Sequence, residues 1–355
     1  MKTYLWLIKR EFWEHRGGFV WAPIWTGVAM LALLLLGLVA AEVSMYSHFG
    51  HTLKMGDTST VVIEHGKVIT STENITIPPP GPQQLAIMHK IIPAGLLGIN
   101  GLISTVIAFV LFFYLLGALY DDRRDRSILF WRSLPISDTS TVLSKVITAG
   151  LAVPLLVMAI AVVTYFAMLV LLTPFVWFHG ANPFSLLWWN SAPFRVGLFL
   201  LVALPLNFLW ALPTFGWLLL CSAAARSKPF LWALLIPLVA GVLNGWFALL
   251  GLPHVTAETF WVKGVLHLLG GTYYGSAFAA AGLPTTVAII IPGSTGMPLT
   301  SSIHNASALG KAILHPLSSP LVGQAYLMPE LWIGAVLGVT MIALAIWQRR
   351  RAVEA

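Results

Sequence analysis

The amino-acid sequence predicts an all-α polytopic membrane protein with six transmembrane helices. Of its 355 residues, 58% are hydrophobic and only 9% are charged, which is far too apolar for an ordinary soluble domain. Six apolar runs are each long enough to cross a bilayer, and basic residues cluster at their ends. The net charge of +7 therefore indicates membrane topology rather than an affinity for nucleic acid.

The apolar runs define the six spans of a single transmembrane domain, residues 1–355. The predicted spans cover residues 19–41, 94–120, 142–172, 195–223, 230–250 and 328–347. Pro154 is expected to kink the third span, and Pro229 suits the first helical position of the fifth. A cleaved signal peptide is disfavoured because the first run is too long and further spans follow it.

The N-terminal segment 2–16 has a helical pattern of moderate amphipathicity. Leu5, Ile8 and Phe12 share one face, and tryptophans flank it. Tryptophan and lysine together suit the membrane interface. The segment is therefore predicted to be an interfacial helix lying along the cytoplasmic surface.

Residues 42–92 form a polar outer segment after the first span. Within it, 61–64 and 67–70 alternate like strands and are joined by two residues that include Gly66, which predicts a β-hairpin. Residues 83–92 are predicted to form a short helix on the outer surface.

The outer loop at 251–327 is long, moderately apolar and rich in glycine and proline. Short helices are predicted at 261–269 and 303–314, and 264–281 is almost long enough to span. Non-helical backbone at membrane depth occurs only where protein or a wet cavity covers it. We therefore expect short re-entrant or surface helices on the outer side.

The distribution of basic residues predicts the orientation. Fourteen lie on the predicted inner side: Lys2, Lys9, Arg10, Arg16, Arg123, Arg124, Arg126, Arg132, Lys145, Arg226, Lys228, Arg349, Arg350 and Arg351. Six lie on the other side: Lys54, Lys67, Lys90, Arg195, Lys263 and Lys311. This asymmetry predicts that both termini are cytoplasmic, which requires an even number of spans.

The sequence contains few groups suited to catalysis or metal binding. It has neither a P-loop nor an H-E-x-x-H motif, and its one cysteine, Cys221, lies in an apolar run. His48 and His51 alone would make a poor metal site. The spans carry no ionisable residue away from their ends, which argues against a proton-driven transporter. We therefore expect no catalytic residue, metal or bound cofactor.

Polar and aromatic side chains inside the spans have two possible roles. Interhelical hydrogen bonding would account for the asparagines. Alternatively, a mostly apolar pathway with a few polar contacts would suit an amphipathic cargo. The pathway candidates are Asn100, Tyr114, Asn244 and Trp246.

The segment 121–141, between the second and third spans, has the densest charge in the chain. Residues 127–134 are predicted to form a short helix, with Ile128, Trp131 and Leu134 on one apolar face. Such a helix can lie on lipid headgroups or dock into a soluble partner. The third alternative is a solvated charged loop.

The same segment carries a family resemblance. Residues 122–137 read Asp-Arg-Arg-Asp-Arg-Ser-Ile-Leu-Phe-Trp-Arg-Ser-Leu-Pro-Ile-Ser, Lys145 follows early in the third span, and Ile-Lys-Arg-Glu-Phe at 8–12 precedes the first. This resembles the permease subunits of the second ABC exporter class, the ABC-2 membrane family. The order of elements extends the resemblance over nearly the whole chain. Ser127 departs from the glycine of many relatives, and the outer segment after the first span is larger than usual.

The resemblance implies a permease that works as a dimer, with the same chain or a close relative, in a bacterial cytoplasmic (inner) membrane. Two copies of a separate ATPase would bind ATP and Mg²⁺, and spans two and five would line the pathway. The implied coupling helix and its flanks are Arg126, Ser127, Ile128, Leu129, Phe130, Trp131, Arg132, Ser133, Leu134 and Pro135. The implied connecting helix contains Trp6, Arg10, Glu11 and Phe12.

The predicted function is therefore ATP-driven export of a hydrophobic or amphipathic cargo, such as a lipid, peptide or drug-like molecule. The chain itself would not be an enzyme. Its partners would be the ATPase, a second permease and membrane lipid, and not nucleic acid. The alternative is a motor-independent sensor, with 42–92 as its receptor segment, or a membrane-embedded enzyme.

Overall fold

The computed structural model describes nine stretches of the chain. These are residues 2–49, 60–64, 67–71, 101–125, 137–178, 182–188, 193–273, 276–277 and 320–351. The predicted helices at 83–92, 127–134 and 303–314 lie outside the described residues.

The described residues are mainly helical. In chain order the helices are α1 (Lys2–Glu14), α2 (Ala22–Phe49), α3 (Gly101–Arg124), α4 (Asp138–Phe178), α5 (Pro193–Ala224), α6 (Pro229–Leu249), α7 (Thr259–Leu266, continued by His267–Gly270), α8 (Pro320–Leu327) and α9 (Pro329–Arg351). Single π-helical turns at Gly17–Trp21 and Phe184–Trp188 precede α2 and α5.

Six of these helices, α2 to α6 and α9, are long and apolar enough to cross a membrane. The predicted multi-pass architecture is confirmed at this level. Several bounds differ: α2 continues to Phe49, α4 begins at Asp138, and α9 continues through Arg351. Hydropathy detects only the apolar part of a helix, whereas backbone hydrogen bonds continue through the polar residues that follow it.

Strands β1 (Thr60–Glu64) and β2 (Lys67–Ser71) form an antiparallel pair. The register pairs Glu64 with Lys67, so the strands approach each other across the two residues predicted to form the turn. Each strand is one residue longer than the sequence pattern predicts, at the end away from the turn.

The start of α4 follows from its sequence. Ser137 caps the helix, because its Oγ accepts a hydrogen bond from the Ser140 backbone N–H at 3.1 Å. A π-helical turn at Thr148–Ala152 comes shortly before Pro154, where a kink was expected. Proline lacks the N–H that an α-helical turn requires, and a wider turn accommodates that loss.

The bundle has two chemically different ends. At one end, α1 packs against the first turns of α4, where the Ser140 hydroxyl donates to the Tyr4 hydroxyl at 3.0 Å. The helices α3, α5 and α9 also finish there, and Pro229 begins α6 directly after Lys228, whose φ is +46°. We call this the charged end, and the opposite end the far end.

Helix α5 is the centre of the bundle and contacts α4, α6, α7 and α9. Its closest neighbour is α9, because Gly216 on α5 and Gly338 on α9 face each other. A methyl group on Gly216 would lie 2.5 Å from the Gly338 carbonyl oxygen and 2.8 Å from the Met341 Cβ. A methyl group on Gly338 would collide with the backbone of Leu212 and Pro213. Small residues therefore let the two backbones touch.

Helix α7 follows α6 and turns back against the bundle. The His267 Nε2 donates to the Trp210 carbonyl oxygen at 2.8 Å, and the two rings stack with centroids 3.8 Å apart. At ~1.5 Å of rise per residue, Trp210 lies about 21 Å along α5 from Ala224. Helix α7 therefore contacts α5 near its mid-length rather than at its end.

We predict that Gly338→Val will lower the free energy of unfolding by about 1–3 kcal/mol, since the branched side chain cannot fit against α5. The midpoint of thermal unfolding in detergent measures this loss. The matched control is Gly245→Val, because a methyl group on Gly245 meets nothing within 4 Å. An equal loss in both variants would contradict the close α5–α9 contact.

Candidate functional site

Charged side chains from four separate helices meet inside the charged end. Lys145 Nζ on α4 lies 3.0 Å and 3.2 Å from the two Glu11 carboxylate oxygens on α1, and 3.8 Å from Asp122 Oδ2 on α3. Arg349 on α9 donates to Asp122 Oδ2 at 3.0 Å and to Asp138 Oδ1 at 3.1 Å. We call these five residues the ionic network.

The local sequence explains how the helices present these groups. Asp138 and Lys145 are seven residues apart, two helical turns, and therefore lie on the same face of α4. On α9, Gly338, Ala345 and Arg349 are buried and recur at intervals of seven and four residues. The face that packs against α5 thus also carries Arg349 into the network.

Three members of the network are shielded from solvent. Glu11, Lys145 and Arg349 are only 3%, 4% and 4% exposed. Three carboxylates meet two cations, and charges buried in this way are tolerated only when they are paired and hydrogen-bonded. By contrast, the Arg10–Glu14 pair on α1 has side chains that are 39% and 52% exposed, and such pairs contribute little to stability.

Tyr114 on α3 completes the environment of Glu11. Its hydroxyl donates to Glu11 Oε2 at 3.0 Å. Its ring meets Phe19 and His15 edge-on, with centroids 5.0 Å and 4.7 Å away. Glu11 therefore accepts hydrogen bonds from both a lysine and a tyrosine, which compensates for its burial.

A second set of contacts ties the end of α3 to the end of α5. The Ser222 Oγ accepts hydrogen bonds from the backbone N–H groups of Leu119 and Tyr120, each at 3.0 Å. The Arg123 guanidinium donates to the carbonyl oxygens of Ser222 and Ala225. The end of α3 is thus held on both sides, by the ionic network and by α5.

The network brackets the segment that the sequence singled out. Asp122 precedes residues 126–136 and Asp138 follows them, and Arg349 binds both carboxylates. One guanidinium thereby holds the two flanks of this segment together. Lys145, through Glu11, ties the same region to α1.

The residues predicted for coupling fall into two groups. Those at 126–135 lie outside the described residues. On α1, Glu11 belongs to the network and Phe12 packs against Phe19 at a centroid distance of 6.2 Å. Arg10 pairs with Glu14, and Trp6 is exposed beneath Lys9 Nζ, 5.2 Å from its ring centroid.

The pathway candidates are dispersed. Asn100 lies outside the described residues, and Tyr114 is buried beside Glu11. Asn244 bonds both backbone groups of Val255, at 2.8 Å and 2.9 Å, and so fixes the chain after α6. Trp246 is exposed on α6. The described structure does not bring these residues together at one place.

Sequence reasoning missed the ionic network. It treated Arg349 as a topology signal, and it placed Asp122 in the charged stretch and Lys145 early in the third span without pairing them. One signal was present: Lys145 follows apolar Val142 and Leu143 inside a membrane-spanning helix, where an ionisable group needs a partner. That signal indicates that a partner exists but not which residue it is.

The comparisons with known proteins identify no relative. The chain matches no protein-family model, no curated protein and no solved structure.

We predict that Lys145→Met will lower the free energy of unfolding by about 3–5 kcal/mol, because Glu11 is left buried with its charge uncompensated. Adding Glu11→Gln should restore part of this loss. Thermal unfolding of the single and double variants, read as a double-mutant cycle, measures the coupling between them.

The control for this cycle is the exposed pair on α1. Arg10→Met should cost less than about 1 kcal/mol. Additive losses for Lys145→Met and Glu11→Gln would contradict the pairing, because uncoupled residues have no interaction free energy.

Proposed function

We propose that this chain is the transmembrane permease subunit of an ATP-driven exporter of the ABC-2 type, moved by a separate ATPase. The observation that carries the proposal is the ionic network, which lies on both sides of residues 126–136 and joins the helices that flank them, α3 and α4, to α1 and α9. The resemblance of residues 122–137 to ABC-2 permeases supplies the identity of the partner.

The proposed mechanism is mechanical. The ATPase docks on the helix that the sequence predicts at 127–134 and pushes it as ATP closes the ATPase pair. Because Asp122 and Asp138 flank that helix and share Arg349, the displacement passes to α3, α4 and α9 together. The Lys145–Glu11 pair passes it to α1. Buried, hydrogen-bonded ion pairs suit this role, since separating them in a dry interior is costly.

The proposed setting is a bacterial inner membrane, with the charged end and both termini in the cytoplasm. The permease works as a dimer, with α3 and α6 lining the pathway, and α7 is a re-entrant helix on the outer side. The cargo is hydrophobic or amphipathic and leaves the cell. ATP and Mg²⁺ are bound by the ATPase and not by this chain.

We predict that Trp131→Glu combined with Leu134→Glu will abolish association with the ATPase while membrane insertion is unchanged. Two carboxylates on the apolar face of the coupling helix would have to be buried unpaired in the docking groove. Co-purification with the partner ATPase, followed by cargo-stimulated ATP hydrolysis in lipid, measures the effect.

The control for docking is Leu327→Glu, which places a carboxylate on an exposed side chain outside the predicted coupling segment. It should leave association intact. Unchanged association of the Trp131/Leu134 variant would remove the docking hypothesis. Uphill transport by the chain without any ATPase would overturn the proposal as a whole.

A further inference from the structure

A groove runs along α6, which packs only loosely against α5 and α9. Most of α6 is exposed, and of its residues only Ala233, Pro237 and Gly241 are buried. The groove contains two cavities, of about 520 Å³ near the charged end and about 540 Å³ towards the far end. We call them the near and far cavities. Both volumes lie in the range of ~300–1,000 Å³ that is usual for small-molecule sites.

Trp217 on α5 divides the groove. Trp217 and Ile236 line both cavities. The Trp217 Nε1 donates to the Ala233 carbonyl oxygen on α6 at 3.2 Å, which fixes the orientation of the indole. Trp217 therefore forms a wall that the near and far cavities share.

The walls of the near cavity are apolar and its rim is polar. Trp217, Leu220, Cys221, Trp232 and Ile236 contribute the apolar surface. The rim carries the side chains of Arg226, Ser227 and Gln348. A ligand that fills this cavity must combine a hydrocarbon part with a polar group.

The rim of the near cavity is positively charged. Arg226 is exposed and makes no ion pair with any residue the structure describes, and none of the described residues that line this cavity carries a carboxylate. Helix α6 also begins at Pro229, close to the rim, so the positive end of its dipole adds to the potential there. The polar group of the ligand is therefore anionic.

The far cavity differs from the near cavity in its charge. Lys263 and Glu330 both line it, and their side chains pair with each other at 3.3 Å. Its cation is thus already compensated by the protein. The charge asymmetry assigns the anionic ligand to the near cavity.

We propose that the near cavity binds an acidic phospholipid. The phosphate lies against Arg226 and Ser227, at the membrane surface where α5 turns into α6, and one acyl chain lies against Trp217, Leu220 and Trp232. Arginine donates strong, charge-assisted hydrogen bonds to phosphate, and basic pockets between membrane helices select anionic headgroups. A zwitterionic lipid fits less well, because the described residues that line the cavity offer no carboxylate to its ammonium group. Binding does not depend on the proposed ATPase.

The test compares two lipids of identical acyl chains, phosphatidylglycerol and phosphatidylcholine, added to the purified full-length chain in detergent. Native mass spectrometry counts the lipid molecules retained. We expect the wild type to retain phosphatidylglycerol preferentially. Arg226→Gln should weaken its retention roughly five- to tenfold, whereas Arg226→Lys should keep most of it.

Two further variants separate specific binding from general charge effects. Arg124→Gln removes an exposed arginine near the charged end that does not line the cavity, and it should leave retention unchanged. Ala224→Trp fills the near cavity from its wall and should abolish retention while every charge remains. Gel filtration and thermal unfolding verify that each variant is folded.

Equal retention of the two lipids by the wild type would overturn the proposal. So would an Arg226→Gln effect no larger than that of Arg124→Gln, or full retention by Ala224→Trp. Because the measurement uses the permease chain alone, its failure is distinct from a failure of ATPase docking, which the Trp131/Leu134 variant tests separately.

Discussion

The pairing of Lys145 and Arg349 with three carboxylates is the interaction on which the charged end of the bundle depends. These groups come from α1, α3, α4 and α9, and the central ones are almost completely buried. A buried charge without a partner costs several kcal/mol. Each of the four helices must therefore keep its position so that the charges on the other three stay paired. The network therefore fixes how these helices are arranged relative to one another.

Packing between α5 and α9 makes this arrangement possible. Gly216 and Gly338 allow the two backbones to touch, and the same face of α9 carries Arg349 further along the helix. The end of α5 in turn holds α3 through Ser222 and Arg123. Steric fit and charge pairing thus act on the same helices, so a change in one would disturb the other.

Helix α6 lies outside this tightly connected frame. It reaches the bundle through a few buried residues, one indole hydrogen bond, the ring of Phe230 against those of Phe112 and Phe113 on α3, and the turn at Lys228. The groove beside it exists because α5 packs more closely against α9 than against α6. Alternating access in the proposed exporter requires two parts. One is a rigid frame that receives the push of the ATPase, and the other is a loosely held helix beside it.

The sequence by itself determined the six helices that are long and apolar enough to cross a membrane and the start of α6 at Pro229, because each depends on residues close together in the chain. It also predicted a β-hairpin from one short turn, and the structure pairs the two strands antiparallel. Only the tertiary structure decided that Arg349 joins Asp122 to Asp138, which lie 227 and 211 residues away from it in the chain. The same holds for the packing of α7 against Trp210, which is 57 residues from His267. Hydrophobic periodicity shows which face of a helix is buried, but several partners can cover the same face, and the choice among them depends on how all the helices pack at once.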